Sequence, residues 1–138
     1  MGRVNVRLTN ETDYALRIMY VLQKERRVIS ASELSEVTGV TLRFALKILR
    51  KLHLAGLISS MKGASGGYIL SESAGELTVG VVIETIDGPF KINNCLKSEY
   101  ECSRMGKDVE ECKFHNYFCE LNEKIRADMH SMKLADPQ

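Results

Sequence analysis

The sequence predicts a mainly α fold: a winged helix-turn-helix with a small β-hairpin wing and a long carboxy-terminal helix. Three observations carry that reading. Two short helical segments meet at a glycine-containing turn, and the second is the more basic. A glycine-rich turn between two short strand-like runs follows at once. Near the carboxy terminus, apolar residues recur at helical spacing.

Taken in order, Thr9 or Asn10 can cap a first helix whose apolar positions are Tyr14, Ile18, Met19 and Leu22. The charged stretch from Gln23 to Arg27 ends it. Ser30 or Ser32 caps a short helix over Glu33–Thr38, which Gly39 stops. Thr41 caps a third helix running to about Ala55 and closed by Gly56. Leu57–Met61 reads as a strand, Lys62–Gly67 as a turn of residues tolerant of positive φ, and Tyr68–Leu70 as the returning strand. Another amphipathic helix runs from Leu77-Thr78-Val79 through Ile86 to the stop at Gly88-Pro89. Residues 90–111 are polar and irregular. From about Cys112 to Lys133 the pattern is helical again, and Phe118, Leu121, Ile125, Met129 and Met132 form a stripe suited to a dimer seam. His53 and His130 read as surface histidines.

Composition narrows the function. The 138 residues carry a net charge of +1, with 44% apolar and 27% charged residues, ordinary values for a globular protein. The charge is unevenly spread. Residues 1–68 hold eleven Lys/Arg against five Asp/Glu, and residues 69–138 hold eight against thirteen. A basic front half joined to an acidic back half suits a nucleic-acid-facing module followed by a different one. No run of 18 apolar residues occurs, and the amino terminus lacks a signal-peptide core, so no membrane partner and a cytoplasmic location are expected. Structural disulfides are not expected there. Neither a nucleophile–base pair nor a phosphate-cradling loop is evident, so the chain does not read as an enzyme.

On the third helix Arg43, Lys47, Arg50 and Lys51 lie at i, i+4, i+7 and i+8, opposite an apolar face of Leu42, Ala45, Ile48, Leu49 and Leu52. Basic side chains so arranged can enter a major groove. Lys62, at the tip of the glycine-rich hairpin, can approach a phosphate or a minor groove. Double-stranded DNA is the expected partner. The domain reading is residues 1–88 for DNA binding, 89–111 as a cysteine-containing sensor loop, and 112–138 as a dimerisation helix.

All four cysteines, Cys95, Cys102, Cys112 and Cys119, fall after a cysteine-free stretch of 94 residues. They are separated by six, nine and six residues, too widely for the close pairs usual in structural zinc sites. If Cys112 begins the last helix, Cys112, His115 and Cys119 share one of its faces. Thiolates with one nitrogen or oxygen ligand suit an iron–sulfur cluster or zinc and exclude hard cations.

The segments Leu8–Arg17, Gly56–Ser60 and Lys62-Gly63-Ala64-Ser65-Gly66-Gly67-Tyr68-Ile69-Leu70 resemble the bacterial winged-helix regulators that include IscR, NsrR and CymR. The resemblance runs from Arg7 to about Asp136. It implies a homodimer, held by the last helix, that binds a partly palindromic operator and senses nitric oxide, redox or iron–sulfur status. Thr41, Arg43, Phe44 and Lys47 match base- or backbone-contacting positions, and Lys62-Gly63 match the wing tip. The wing departs from the common Arg-Gly-Pro-Gly-Gly-Gly form at Lys62, Ala64 and Ser65. The resemblance also implies that Cys95, Cys102 and Cys112 hold a two-iron or four-iron cluster, with a fourth ligand from elsewhere. His115 and Asp13 match fourth-ligand positions of different members, Asp13 as a donor from the partner subunit. Cys119 matches none and is a further candidate. The alternative is a thiol- or zinc-based regulator without a cluster.

Overall fold

A computed structural model describes residues 8–72 and 76–135. The amino-terminal stretch lacking a signal-peptide core and the outer ends of the expected 1–88 and 112–138 units, Arg7 and Asp136 included, lie outside the described residues. The helices are α1 (Asn10–Glu25), α2 (Ala31–Thr38), α3 (Leu42–Leu54), α4 (Val79–Asp87) and α5 (Lys113–Ser131). Strands β1 (Ile58–Met61) and β2 (Gly67–Leu70) pair antiparallel, Ile58 opposite Leu70 and Met61 opposite Gly67. Among the described residues, no helix is long and apolar enough to cross a membrane.

Hydroxyl caps start four of the helices. Thr9, Ser30, Thr41 and Thr78 accept from the backbone N–H of Thr12, Glu33, Phe44 and Val81. Because Ser30 rather than Ser32 is the cap, α2 begins at Ala31, two residues earlier than expected. Similarly, Thr78 is the cap of α4, so Leu77 and Thr78 precede that helix instead of opening it. Gly39, at φ +75°, closes α2 in the left-handed conformation and sets the tight turn into α3.

The core gathers one face of each of these helices: Ala15, Ile18, Met19 and Leu22 of α1, Leu34 of α2, Ala45, Ile48, Leu49 and Leu52 of α3, and Val82 and Ile86 of α4. Leu42, expected on that apolar face, is instead 43% exposed at the first residue of α3. The chain after α5 returns to the core. Val79 N–H donates to Met132 O (2.9 Å), Leu134 N–H donates to Leu77 O (3.0 Å), and Leu134 is buried in the core formed by α1, α3 and α4. The carboxy-terminal element is therefore stitched to the front half at its far end.

The wing explains its own glycines. Gly66 N–H donates to Gly63 O (3.0 Å) to close the turn. At the start of β2 the backbone passes against the α1–α2 connection, where Ile29 and Tyr68 exchange two hydrogen bonds of 2.8 Å. A Cβ on Gly67 would strike the Ile29 carbonyl and the Ser30 amide, both backbone and unable to yield. Gly67→Ala is therefore expected to destabilise the fold by about 2 kcal/mol. Urea denaturation measures the loss, and the Ile29 and Tyr68 amides should be the first to gain hydrogen exchange. Unchanged protection at both amides would refute the docking.

Candidate functional site

The outward face of α3 is built by elimination. Ala45, Ile48, Leu49 and Leu52 face the core, and Arg43, Lys47 and Arg50 are left exposed. Among the described residues none of the ion pairs involves these three or Lys62. Lys51 differs: its ammonium lies 2.8 Å from Glu11 Oε1 on α1, so this cation is already shared with a structural partner. Phe44 packs edge-on against Tyr14 at 6.1 Å, and Thr41 spends its hydroxyl on the cap of α3. Lys62 is exposed at the wing tip, beside Gly63 at φ +108°. Helix α3 and the wing tip thus present positive charge outside the ion pairs of the described residues.

The cysteine loop lies between α4 and α5. Residues 90–111, read as irregular, contain two short 3₁₀ turns, Asn94–Leu96 and Val109–Glu111, and a tight loop in which Cys102 and Gly106 exchange backbone hydrogen bonds of 2.8 and 2.7 Å. Cys95 rides on the first turn. Cys112 occupies the N-cap position, in extended conformation, immediately before the first helical residue of α5. All four thiols are free and partly exposed.

Polar donors converge on three of the sulfurs. Asn93 Nδ2 donates to Cys95 Sγ (3.4 Å), Arg104 N–H to Cys102 Sγ (3.4 Å), and the Arg104 guanidinium to Cys112 Sγ (3.5 Å). Burial pushes the Cys95 thiol up, with the Asn93 amide opposing it. The Arg104 N–H, then that of Met105, lowers Cys102, and the His115 N–H, then that of Phe114, lowers Cys112. On α5, His115 Nε2 lies 3.5 Å from Cys119 Sγ, while His115 Nδ1 is buried without a hydrogen-bond partner. Asp13 sits in the first turn of α1 and pairs with Arg17 at 2.8 Å rather than with a cysteine. Among the described residues, no three His, Cys, Asp or Glu side chains close into a metal-holding group.

The loop is anchored by residues that sequence reasoning passed over. Asn122, buried on α5, accepts from Ile92 N–H (2.7 Å) and donates to Phe90 O (3.0 Å). Its signal was a polar residue four after Phe118 and three before Ile125, within the apolar stripe. Glu84 on α4 receives Arg126 through two hydrogen bonds (2.8 and 2.9 Å), Phe90 N–H (2.7 Å) and His130 Nε2 (2.7 Å). Arg126 first, with Phe90 and His130 adding, holds the Glu84 carboxyl down at about 2. His130, read as a surface histidine, is half-buried and engaged: its ring covers Gly80 so closely that a Cβ there would overlap it. A second lock joins the last residue of α4 to the start of α1, where the Thr9 and Thr12 hydroxyls converge on Asp87 at 3.0 and 2.6 Å. The cysteine loop, α5 and the amino-terminal end of α1 therefore share α4 as a common support.

Comparison with known proteins agrees with this arrangement. A family model described as Rrf2, iron-dependent transcriptional regulator, matches residues 8–137. The HTH-type transcriptional regulator IscR of Serratia proteamaculans (strain 568) is 29% identical over 133 residues, which span 95% of this chain and 78% of that protein. Among solved structures, T. potens IscR superposes with a TM-score of 0.67 at 24% identity, covering 98% of this chain and 88% of that one. CymR, the global cysteine regulator of B. subtilis, superposes with a TM-score of 0.71 at 21% identity, covering 96% and 95%. The two solved structures attest a common fold.

Proposed function

The chain belongs to the Rrf2 family of iron-dependent transcriptional regulators, and from that membership we propose that it binds its operator as a homodimer under the control of an iron–sulfur cluster. Membership makes it a DNA-binding transcriptional regulator. The finer reading rests on one observation above all: every cysteine lies on or beside one loop, with hydrogen-bond donors aimed at three of the sulfurs.

Cys95, Cys102 and Cys112 would hold the cluster. Their donor set fits it, since soft thiolates with hydrogen bonds to sulfur are what such clusters require. His115, whose Nδ1 is a buried nitrogen without a partner, is the better-supported fourth ligand within the chain. Asp13 remains the candidate donated across the dimer, and Cys119 a lower-ranked one. A bound cluster supplies iron that changes charge and ligation with oxidants. The protein's own part is mechanical. The loop ends on Asn122 and Glu84, so tightening around Cys95 and Cys112 pulls on both α4 and α5, a coupling free energy between the sensor loop and the DNA-facing body. Residues 1–88 would bind DNA, 89–111 sense, and 112–138 dimerise through Phe118, Leu121, Ile125 and Met129.

Anaerobic purification with iron and sulfide counts per chain and a visible spectrum tests the reading. A brown protein with matched iron and sulfide is expected, and the counts separate two-iron from four-iron forms. The second reading is a thiol- or zinc-based regulator without a cluster, and its thiol form is favoured by four free cysteines that, among the described residues, close into no metal-holding group. A colourless protein carrying zinc or no metal would establish it instead.

For DNA, Arg43→Ala is expected to weaken a specific operator by about 1–3 kcal/mol if it grips a guanine edge. Arg50→Ala should weaken all sequences alike and reduce the salt slope by about one. Operator affinity unchanged in the Arg43 variant would refute the assignment of α3.

A further inference from the structure

The outward face of α3 is not only basic. Leu42, Leu46 and Leu54 are 43%, 46% and 73% exposed on it. At about 100° per residue, Leu46 falls between Leu42 and Arg50, with Arg43 and Lys47 farther round the same face. Single exposed leucines are ordinary on any surface. Three on one face of one helix, interleaved with unpaired cations, make a surface of mixed chemistry. Its cations argue for a polyanionic occupant, and its methyl groups for one that also presents apolar groups.

The same helix is one-sided in its hydrogen bonding. From Leu42 to Leu54 it contains no Asp, Glu, Asn or Gln. Thr41, just before it, already accepts the Phe44 N–H as a cap. The face therefore offers donors and methyl groups, with no carboxylate or amide acceptor. In a major groove guanine presents two acceptors, and thymine presents an acceptor and a C5-methyl group. The amino groups of cytosine and adenine call for an acceptor that this face lacks.

We infer that Leu46 packs on thymine methyl groups, so that α3 selects half-sites presenting guanine and thymine edges and leaves cytosine and adenine amino groups unread. The inference deepens the DNA-binding reading above and rests on it. Leu46 is a specificity residue in this account, with Arg43 and Lys47 as its donor neighbours.

The test uses the intact protein and a random-sequence duplex library. The enriched duplex is remade with uracil in place of thymine, one position at a time, which removes only the methyl group. Uracil at a contacted position should weaken binding about fourfold, the weight of one buried methylene-sized group, and about sixteenfold when both half-sites of a dimer are changed. Leu46→Ala should bind the thymine duplex as weakly as the parent binds the uracil duplex, and should no longer distinguish the two. Leu46 is exposed, so that variant is expected to fold. An enriched duplex that tolerates uracil everywhere, or a Leu46→Ala protein that keeps the parent's sensitivity, would overturn the inference while leaving DNA binding intact. Failure to enrich any duplex would overturn the DNA-binding reading and this inference with it.

Discussion

Cys112→Ser is expected to yield protein with little or no bound iron. Cys112 sits at the N-cap position of α5, where the nearby N–H groups of His115 and Phe114 and the Arg104 guanidinium lower its thiol, so the thiolate is favoured before any ligand arrives. Losing one of three thiolates leaves iron open to solvent and less neutralised, and serine is too hard a donor to replace it. Cys95→Ser and Cys102→Ser should behave alike. Losing a nitrogen or oxygen ligand is milder, because water or a small thiol can fill the vacancy. His115→Ala should therefore keep part of its iron with a shifted spectrum, and a larger shift than Asp13→Ala if His115 is the ligand. Cys119→Ser should retain most of its iron under anaerobic purification. Iron below half of the parent's in that variant would show that the three-cysteine set is incomplete.

The second large effect lies away from the cysteines. Glu84→Ala should destabilise the protein by about 2–4 kcal/mol, because it leaves Arg126, His130 and the Phe90 N–H facing the α4–α5 seam without their acceptor. Chemical denaturation at neutral pH gives the loss directly. The acid limb supplies an independent check. Arg126 holds the Glu84 carboxyl at about 2, below its ordinary 4.5, so the stabilisation is fully present above about pH 4.5 and is lost as pH falls towards 2. Stability of the parent should decline across that window, and that of Glu84→Gln should decline less. Identical acid limbs would mean that the carboxylate does not carry the seam.

Several features were legible because their causes are local. A hydroxyl that caps a helix acts within three residues, so Thr41 could be read as a start signal and Thr9 and Ser30 as one of two choices each, beside Asn10 and Ser32, whereas periodicity alone put Thr78 inside the helix it caps. The glycine-rich wing declared itself through backbone freedom, and the cysteine cluster through ligand chemistry. The approach of His115 to Cys119 follows from helical spacing along α5, while Cys112, which that spacing also counted, lies at the N-cap just before the helix.

What escaped the sequence spans the chain. Glu84 meets Arg126 and His130 across 42 and 46 residues, and Glu11 takes up Lys51, a cation that spacing alone placed on the DNA face. No periodicity predicts such partners, because opposite charges find one another only after helix crossings bring them together. Burial shows the same division. Helical spacing along α3 identified Ala45, Ile48, Leu49 and Leu52 as core but also counted Leu42, which stays exposed because periodicity does not say which end of a face finds a packing partner. The sequence by itself determined which segments are helical, where the wing turns and which residues have the chemistry to bind DNA or a soft metal, since these depend on dihedral preference and side-chain type. Tertiary structure alone decided that the loop hangs from Asn122 and Glu84 and that Leu134 seals the carboxy terminus into the front-half core. Those contacts exist only once packing has fixed the distances between residues far apart in the chain.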